Sequence, residues 1–399
     1  MSTSIVRRAG LFGLLAALFS SFGQTFFIGL FGGEFREAFG LGSATLGVFY
    51  GVATIASGVL MFWLGDMADR LDPARAILVS LGLLALGCIL VALAPTAWIL
   101  LPGLFLLRLG GQGLTGHLAM VVAARYTLRN RGRSVAMASY GFILGEAVLP
   151  LAVAGLLGVL DWRTVWLMAA AVLILAAMPG LGGLAAMLAG RQPEIPGASA
   201  ETTPAAMGRA QLLRHPSFVL ALPVVLVSPF VVTAVFLHQG GIAELRGWSL
   251  QSVASAFMLF AVVQAIAAFA AGRIVDLFGS LALMRVYLLP MGVGLVALGF
   301  LPGGPALWIL FAGFGMTAGG NGVVAGALWA ELFGVRQLGM IRGVYAAFMV
   351  ASTAASPPVL GLALEAGVSL AVIGGIGAAW CLLVPQLLVP RIGRRRPQA

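Results

Sequence analysis

The chain has 399 residues, 61% of them hydrophobic and 9% charged, with a mean hydropathy of +1.06. A soluble fold of this composition would have nothing to wet its surface, so the chain is read as a polytopic membrane protein. The net charge of +10 does not indicate a nucleic-acid binder: every basic residue is Arg, and the arginines recur in short loops with no interleaved aromatic strip, as topology signals do.

Apolar runs long enough to cross a bilayer fall at 9–33, 44–64, 75–94, 97–125, 133–159 and 163–188, and then at 216–240, 251–271, 282–301, 306–332, 339–364 and 368–390. The first run follows Arg7 and Arg8. It is too long for a signal peptide and lacks a cleavage site, so it is kept as a mature span. Cys88 and Cys381 lie in separate apolar runs and indicate no disulfide framework. The polar segment between the two sets of six is read as a linker, giving bundles at 1–189 and 215–399 joined by 190–214. With both termini inside, the outer loops carry only Arg36, Arg163 and Arg246, while the inner segments carry almost all the rest. The positive-inside rule therefore predicts cytoplasmic termini, in a bacterial inner membrane.

The two halves overlay with one constant shift of 207 residues, which pairs Asp69 with Asp276, Glu37 with Glu244, Pro95 with Pro302 and Pro150 with Pro357. Aspartate is rare here, and Asp69 and Asp276 each follow a glycine by four residues, Gly65 and Gly272. Parallel six-helix repeats imply a site between the halves near the midplane, and transport by rocking one half against the other.

Over essentially its whole length the sequence resembles the major facilitator superfamily. The carrying residues are the loop Gly65-Asp66-Met67-Ala68-Asp69-Arg70-Leu71-Asp72-Pro73-Ala74-Arg75, its weaker copy Gly272 to Gly279, and Arg108 followed by Gly110, Gly111, Gln112 and Gly113. The resemblance implies an all-α membrane fold, twelve transmembrane helices in two six-helix bundles related by a pseudo-two-fold axis. It also implies a gating role for Gly65, Asp69, Arg70, Arg75 and Asp276, which hold the inward side shut until opening breaks their contacts. Two departures stand out: Asp72-Pro73 where a Gly-Arg is usual, and Gly145-Glu146 where drug/proton antiporters carry a Gly-Pro pair. The run Glu331 to Gly343, ahead of Ser356-Pro357-Pro358, looks like the monocarboxylate and oxalate/formate branch.

Two charges lie inside apolar runs, Arg108 and Glu146. Such residues line a cavity, pair, or do both, because a charge at the bilayer centre costs about 2.5–3.5 kcal/mol. Arg108 lies about 16 Å from the outer end of its helix and Glu146 about 20 Å from the inner end of its own, depths that an arginine side chain can bridge. At 100° per residue, Gln112 and Thr115 share a stripe with Arg108, and His117 falls opposite. Arg108 is expected to hold a substrate anion or to control the proton affinity of Glu146; a permanent ion pair locking two helices is the structural alternative. Ser20 and Gln24 on the first helix, Tyr140 on the fifth, and Asn321, Gln264, Tyr345 and His238 in the second half complete the expected substrate lining. His238 is expected at the outer vestibule, where it adds pH dependence or stands uninvolved.

No phosphate loop, Gly-x-Ser-x-Gly nucleophile or His/Cys metal spacing occurs, so no enzyme activity, cofactor or metal is expected. The expected function is a monomeric secondary transporter working by alternating access, proton-coupled and carrying a small organic anion, with substrate, protons and membrane lipid as its partners and no nucleic acid. A proton-driven exporter of a drug or toxic compound is the alternative, and a non-transporting receptor or assembly factor a more distant one.

Overall fold

The computed structural model describes residues 3–64, 71–125, 131–188, 208–334 and 338–393. All regular structure among them is helical, and twelve helices are long and apolar enough to cross a membrane. Spans 1 to 6 are Arg7–Gly29, Ser43–Leu64, Pro73–Leu93, Ala97–Arg125, Arg133–Leu157 and Trp162–Ala186. Spans 7 to 12 are Pro216–Leu237, Leu250–Phe278, Ser280–Phe300, Pro305–Phe333, Leu338–Glu365 and Leu370–Ile392. Helix is the outcome that lipid imposes, since it closes each backbone hydrogen bond within its own segment. The chain divides into two compact units, Met1–Ala200 and Glu201–Ala399. A short helix, Arg209–Arg214, occupies the last part of the segment read as a linker.

Spans 1 and 8 differ from the sequence reading, as do spans 7 and 9, each read as one run but interrupted at Leu226 and at Tyr287 and Leu288. Span 8 runs on to Phe278 rather than stopping near 271, because the exposed Arg273 and Asp276 continue the helix beyond its apolar part. The first run, read as one helix over 9–33, is interrupted at Gln24.

The repeat is present in the backbone of each half. The short helices Gly32–Phe39 and Gln239–Arg246 begin and end 207 residues apart, and both close on a left-handed glycine, Gly40 at φ 62° and Gly247 at φ 65°. An L-residue in that conformation costs about 1–2 kcal/mol, which achiral glycine avoids. The residues that precede these helices, Phe31 and His238, share a φ of −100° and −96°.

Spans 3 and 9 also start at repeat-related positions, Pro73 and Ser280, but are capped differently. Asp72 accepts from the Ala74 amide at 3.1 Å, with Pro73 in the first turn. Asp72-Pro73, a departure from the family loop, is thus a helix start. In the second half the Ser280 amide and hydroxyl both donate to the carboxylate of Glu331 on span 10, the amide at 2.7 Å.

Two of the arginines expected in outer loops close helix ends. Arg163 Nη1 donates to the carbonyls of Ala92 at 2.7 Å and Ala94 at 2.9 Å, and its guanidinium lies 4.4 Å from the Trp162 ring centroid. Arg246 donates to the Leu301 carbonyl, the repeat partner of Ala94. The same orphan carbonyl, at the partly negative end of a helix, is met by a cation from two different loops.

Candidate functional site

The first half is organised by the interruption in span 1. The helix Thr3–Ser20 gives way to a tight turn at Ser21–Gly23, then Gln24 turns extended at φ −85° and ψ 154° before the helix resumes at Thr25–Gly29. Ser20 and Ser21 both direct their hydroxyls back to the Ala17 carbonyl, at 2.7 Å and 3.4 Å, a local bond that competes with the helical ladder. An unbroken helix would give the Gly23 carbonyl to the amide four residues on. Here that carbonyl accepts from Arg108 Nη1 at 3.1 Å.

Arg108 opens a π-helical stretch, Arg108–Thr115, inside span 4. This glycine-rich stretch meets the break directly: a Cβ on Gly23 would fall 2.1 Å from the Leu107 carbonyl oxygen and 2.8 Å from the Gly111 Cα. Both positions must be glycine for the two backbones to touch. The wider i→i+5 turn also removes the premise of the expected Arg108, Gln112 and Thr115 stripe, which assumed 100° per residue. Thr115 is fully buried, Gln112 half-buried and His117 exposed. Gln112 Oε1 and Thr115 Oγ1 are buried without a hydrogen bond among the described residues.

The remaining contacts of Arg108 come from span 2. Its Nε donates to Thr54 Oγ1 at 3.2 Å, and its guanidinium lies 5.0 Å from the Tyr50 ring centroid. Tyr50 and Thr25 in turn share a hydroxyl–hydroxyl hydrogen bond across to the resumed helix of span 1. Arg108 is only 3% exposed, and Thr54, Gly23 and Tyr50 are all neutral. The sequence reading missed Tyr50 and Thr54; the available signal was two hydroxyl groups four apart, hence on one helix face, in an otherwise apolar run.

Span 5 meets the same break at the residue before Glu146. The neighbouring Gly145 is pressed against Ser21, where a Cβ would lie 2.1 Å from Ser21 Oγ. Glu146 itself is half-buried with Oε2 enclosed, and Tyr140 on the same span is exposed. Arg108, through its bond to the Gly23 carbonyl, and Gly145, the residue before Glu146, thus approach one interrupted turn from two helices.

The second half builds a neutral version. Span 7 is interrupted at Leu226, between the helices Pro216–Val225 and Val227–Leu237. The Val224 carbonyl beside that junction accepts from Tyr287 Oη at 2.8 Å, and the Leu226 carbonyl from Ser352 Oγ at 3.4 Å. Tyr287 also reaches Asn321 Oδ1 at 3.4 Å, and Thr317 Oγ1 donates to the Tyr287 carbonyl at 2.9 Å. Tyr345 Oη and Gln264 Oε1 are buried without a hydrogen bond among the described residues. His238 is buried, its Nε2 lying 2.9 Å from the Pro357 carbonyl oxygen in span 11.

Of the expected gate, Arg75 and Asp276 are exposed at helix ends, while Gly65, Asp69 and Arg70 lie outside the described residues. The described residues hold no cluster of three His, Cys, Asp or Glu able to take a metal ion.

Residues 13–357 match the family model of the Major Facilitator Superfamily. No curated protein sequence matches the chain. Among solved structures, the chain is similar to a bacterial homolog of the human lysosomal transporter Spinster in an inward-facing, unoccupied conformation, with a TM-score of 0.68 and 15% identity over 98% of this chain and 94% of that one. It is similar to the nucleoside transporter NupG, with a TM-score of 0.69 and 13% identity over 98% and 99% of the two chains. A POT family transporter in complex with 5-aminolevulinic acid gives a TM-score of 0.72 and 11% identity over 96% of each chain. At these identities the likeness concerns the fold alone.

Proposed function

This chain belongs to the Major Facilitator Superfamily, and we propose that within it the protein is a proton-coupled carrier of a small organic anion of the monocarboxylate kind. It is a transporter and not an enzyme. The observation that carries the anion is the setting of Arg108, a guanidinium 3% exposed and held, among the described residues, by the neutral Thr54, Gly23 and Tyr50. Burying a charge in such surroundings costs several kcal/mol. Of the five N–H donors of an arginine, three remain after the bonds to Thr54 and Gly23. A substrate carboxylate offers both the opposite charge and a pair of oxygens matched to the guanidinium fork.

Glu146 is the proton site in this reading, and charge balance then supplies the coupling. The empty carrier with Glu146 ionised is neutral at Arg108 plus Glu146, and so is the carrier loaded with one anion and one proton. With the anion alone or the proton alone the pair carries a net charge. At about 2.5–3.5 kcal/mol per charge near the bilayer centre, such half-loaded forms reorient about a hundredfold less often. Ser20, Gln24, Gln112, Thr115 and Tyr140 line the path in the first half, and Asn321, Gln264, Tyr345 and His238 in the second. Asp69, Arg70, Arg75 and Asp276 serve the gate of an alternating-access cycle. The arginine distribution supports a bacterial inner membrane with both termini cytoplasmic.

Purified protein in liposomes under an inward-acid gradient tests this. A labelled monocarboxylate is expected to accumulate, a protonophore to abolish the accumulation, and Glu146→Gln to exchange the anion without concentrating it. Gradient-driven accumulation unchanged in Glu146→Gln removes the proton-site role, and efflux of apolar compounds with no anion flux points to an exporter instead.

A further inference from the structure

Where spans 7 and 12 end together, a groove of about 420 Å³ is lined by Arg214, Pro216, Val219, Leu220 and Arg391. We infer that this groove is a binding site for a phospholipid with a net-anionic headgroup, its phosphate held between Arg214 and Arg391.

Depth is the first support. Pro216 is the first residue of span 7 and Arg391 the last but one of span 12, so the two guanidiniums stand where apolar helix gives way to loop, the level of lipid phosphates. Charge is the second. Both arginines are exposed, and neither has an ion pair or hydrogen bond among the described residues, whereas Arg163 and Arg246 are tied to helix-end carbonyls. The third is the apolar wall, which distinguishes a lipid from free phosphate. Val219 is 45% exposed, and Leu387, one turn before Arg391 and so on its face, is 59% exposed. An acyl chain below the phosphate covers both. Deeper in, Trp380 Nε1 of span 12 donates to the Pro223 carbonyl of span 7 at 3.1 Å and fixes the separation of the two walls.

The repeat supplies an internal control. Arg214 corresponds to Arg7 in the first half, but Arg391 corresponds to Leu184, so the paired arginines occur in the second half alone.

The test is thermal unfolding of the purified full-length protein in a neutral detergent, titrated separately with short-chain phosphatidylglycerol, short-chain phosphatidylcholine and inorganic phosphate. Phosphatidylglycerol is expected to raise the midpoint saturably, and the other two to leave it in place. In the Arg214→Gln/Arg391→Gln variant the apparent affinity for phosphatidylglycerol falls about thirtyfold, about fivefold for each arginine. Both side chains are exposed, so the variant folds; Arg214→Lys/Arg391→Lys, which keeps the charges, retains most of the affinity. An equal shift with inorganic phosphate or phosphatidylcholine overturns the assignment, as does wild-type phosphatidylglycerol affinity in the glutamine variant.

Discussion

Each half begins with an interrupted helix, and the two interruptions are resolved by different chemistry. In the first half the carbonyl of Gly23 receives a cation, Arg108 Nη1 at 3.1 Å, delivered by a π-helical stretch. In the second, the carbonyls of Val224 and Leu226 receive neutral hydroxyls from Tyr287 and Ser352, and the corresponding span 10 is α-helical throughout. The two halves nevertheless share their left-handed glycines and the backbone turn at Phe31 and His238. A duplicated skeleton therefore does not duplicate a site: the backbone path is retained while the groups that satisfy its broken turns diverge. Among the described residues, the first half alone holds a buried charge at its break, Arg108.

The largest expected effect breaks the comparison at its closest approach. Gly23→Ala puts a Cβ 2.1 Å from a backbone oxygen that cannot move aside, so a loss of about 3 kcal/mol or more in stability is expected. The repeat position already holds Phe230, and Phe230→Ala tested by the same thermal unfolding should cost far less. Equal losses at the two positions would show that the glycine contact does not set the halves apart.

A smaller effect sharpens the neutral side. Tyr287→Phe removes one hydroxyl donor from the Val224 carbonyl and should lower stability by about 1 kcal/mol, with transport changed by less than about tenfold. The smallest concerns caps. Asp161 accepts from the Arg163 amide at 2.9 Å and from the Thr164 amide at 3.3 Å at the start of span 6, whereas Ser369 does the same work for span 12 with a neutral hydroxyl. The Thr164 hydroxyl holds the Asp161 carboxyl below the usual carboxylate range. Because the folded value is depressed, this cap's contribution is present above about pH 4 and lost as pH falls through the lowered value. Asp161→Ala should therefore lower the melting midpoint at neutral pH and converge with the wild type in acid, while Ser369→Ala should show no such convergence.

Much of this was legible in the residues. The twelve spans followed from the apolar runs, and the family from the resemblance of the 65–75 loop, its copy at 272–279 and the 108–113 motif. The break at Gln24 was not, because no proline marks it and the polar groups of Ser-Phe-Gly-Gln-Thr read equally well as one face of a continuous helix; what opens the turn is a neighbouring helix that only glycine allows so close. The expected polar stripe assumed a regular turn through a stretch that is π-helical. Tyr50, Thr54 and Tyr287 each read as one polar atom in a greasy helix, and their roles depend on partners between 25 and 63 positions away. Asp72-Pro73, a departure when compared with a motif, is explained by capping chemistry once its helix is in view.

Whether the buried charge of Arg108 recognises the transported anion is tested by anion uptake through the Arg108→Gln protein reconstituted beside the wild type, with folding of both checked by thermal unfolding. The expected outcome is a folded variant whose uptake falls by about tenfold to a hundredfold, the scale of one or two lost hydrogen bonds to a charged group. Undiminished uptake of the same anion by folded Arg108→Gln would contradict it.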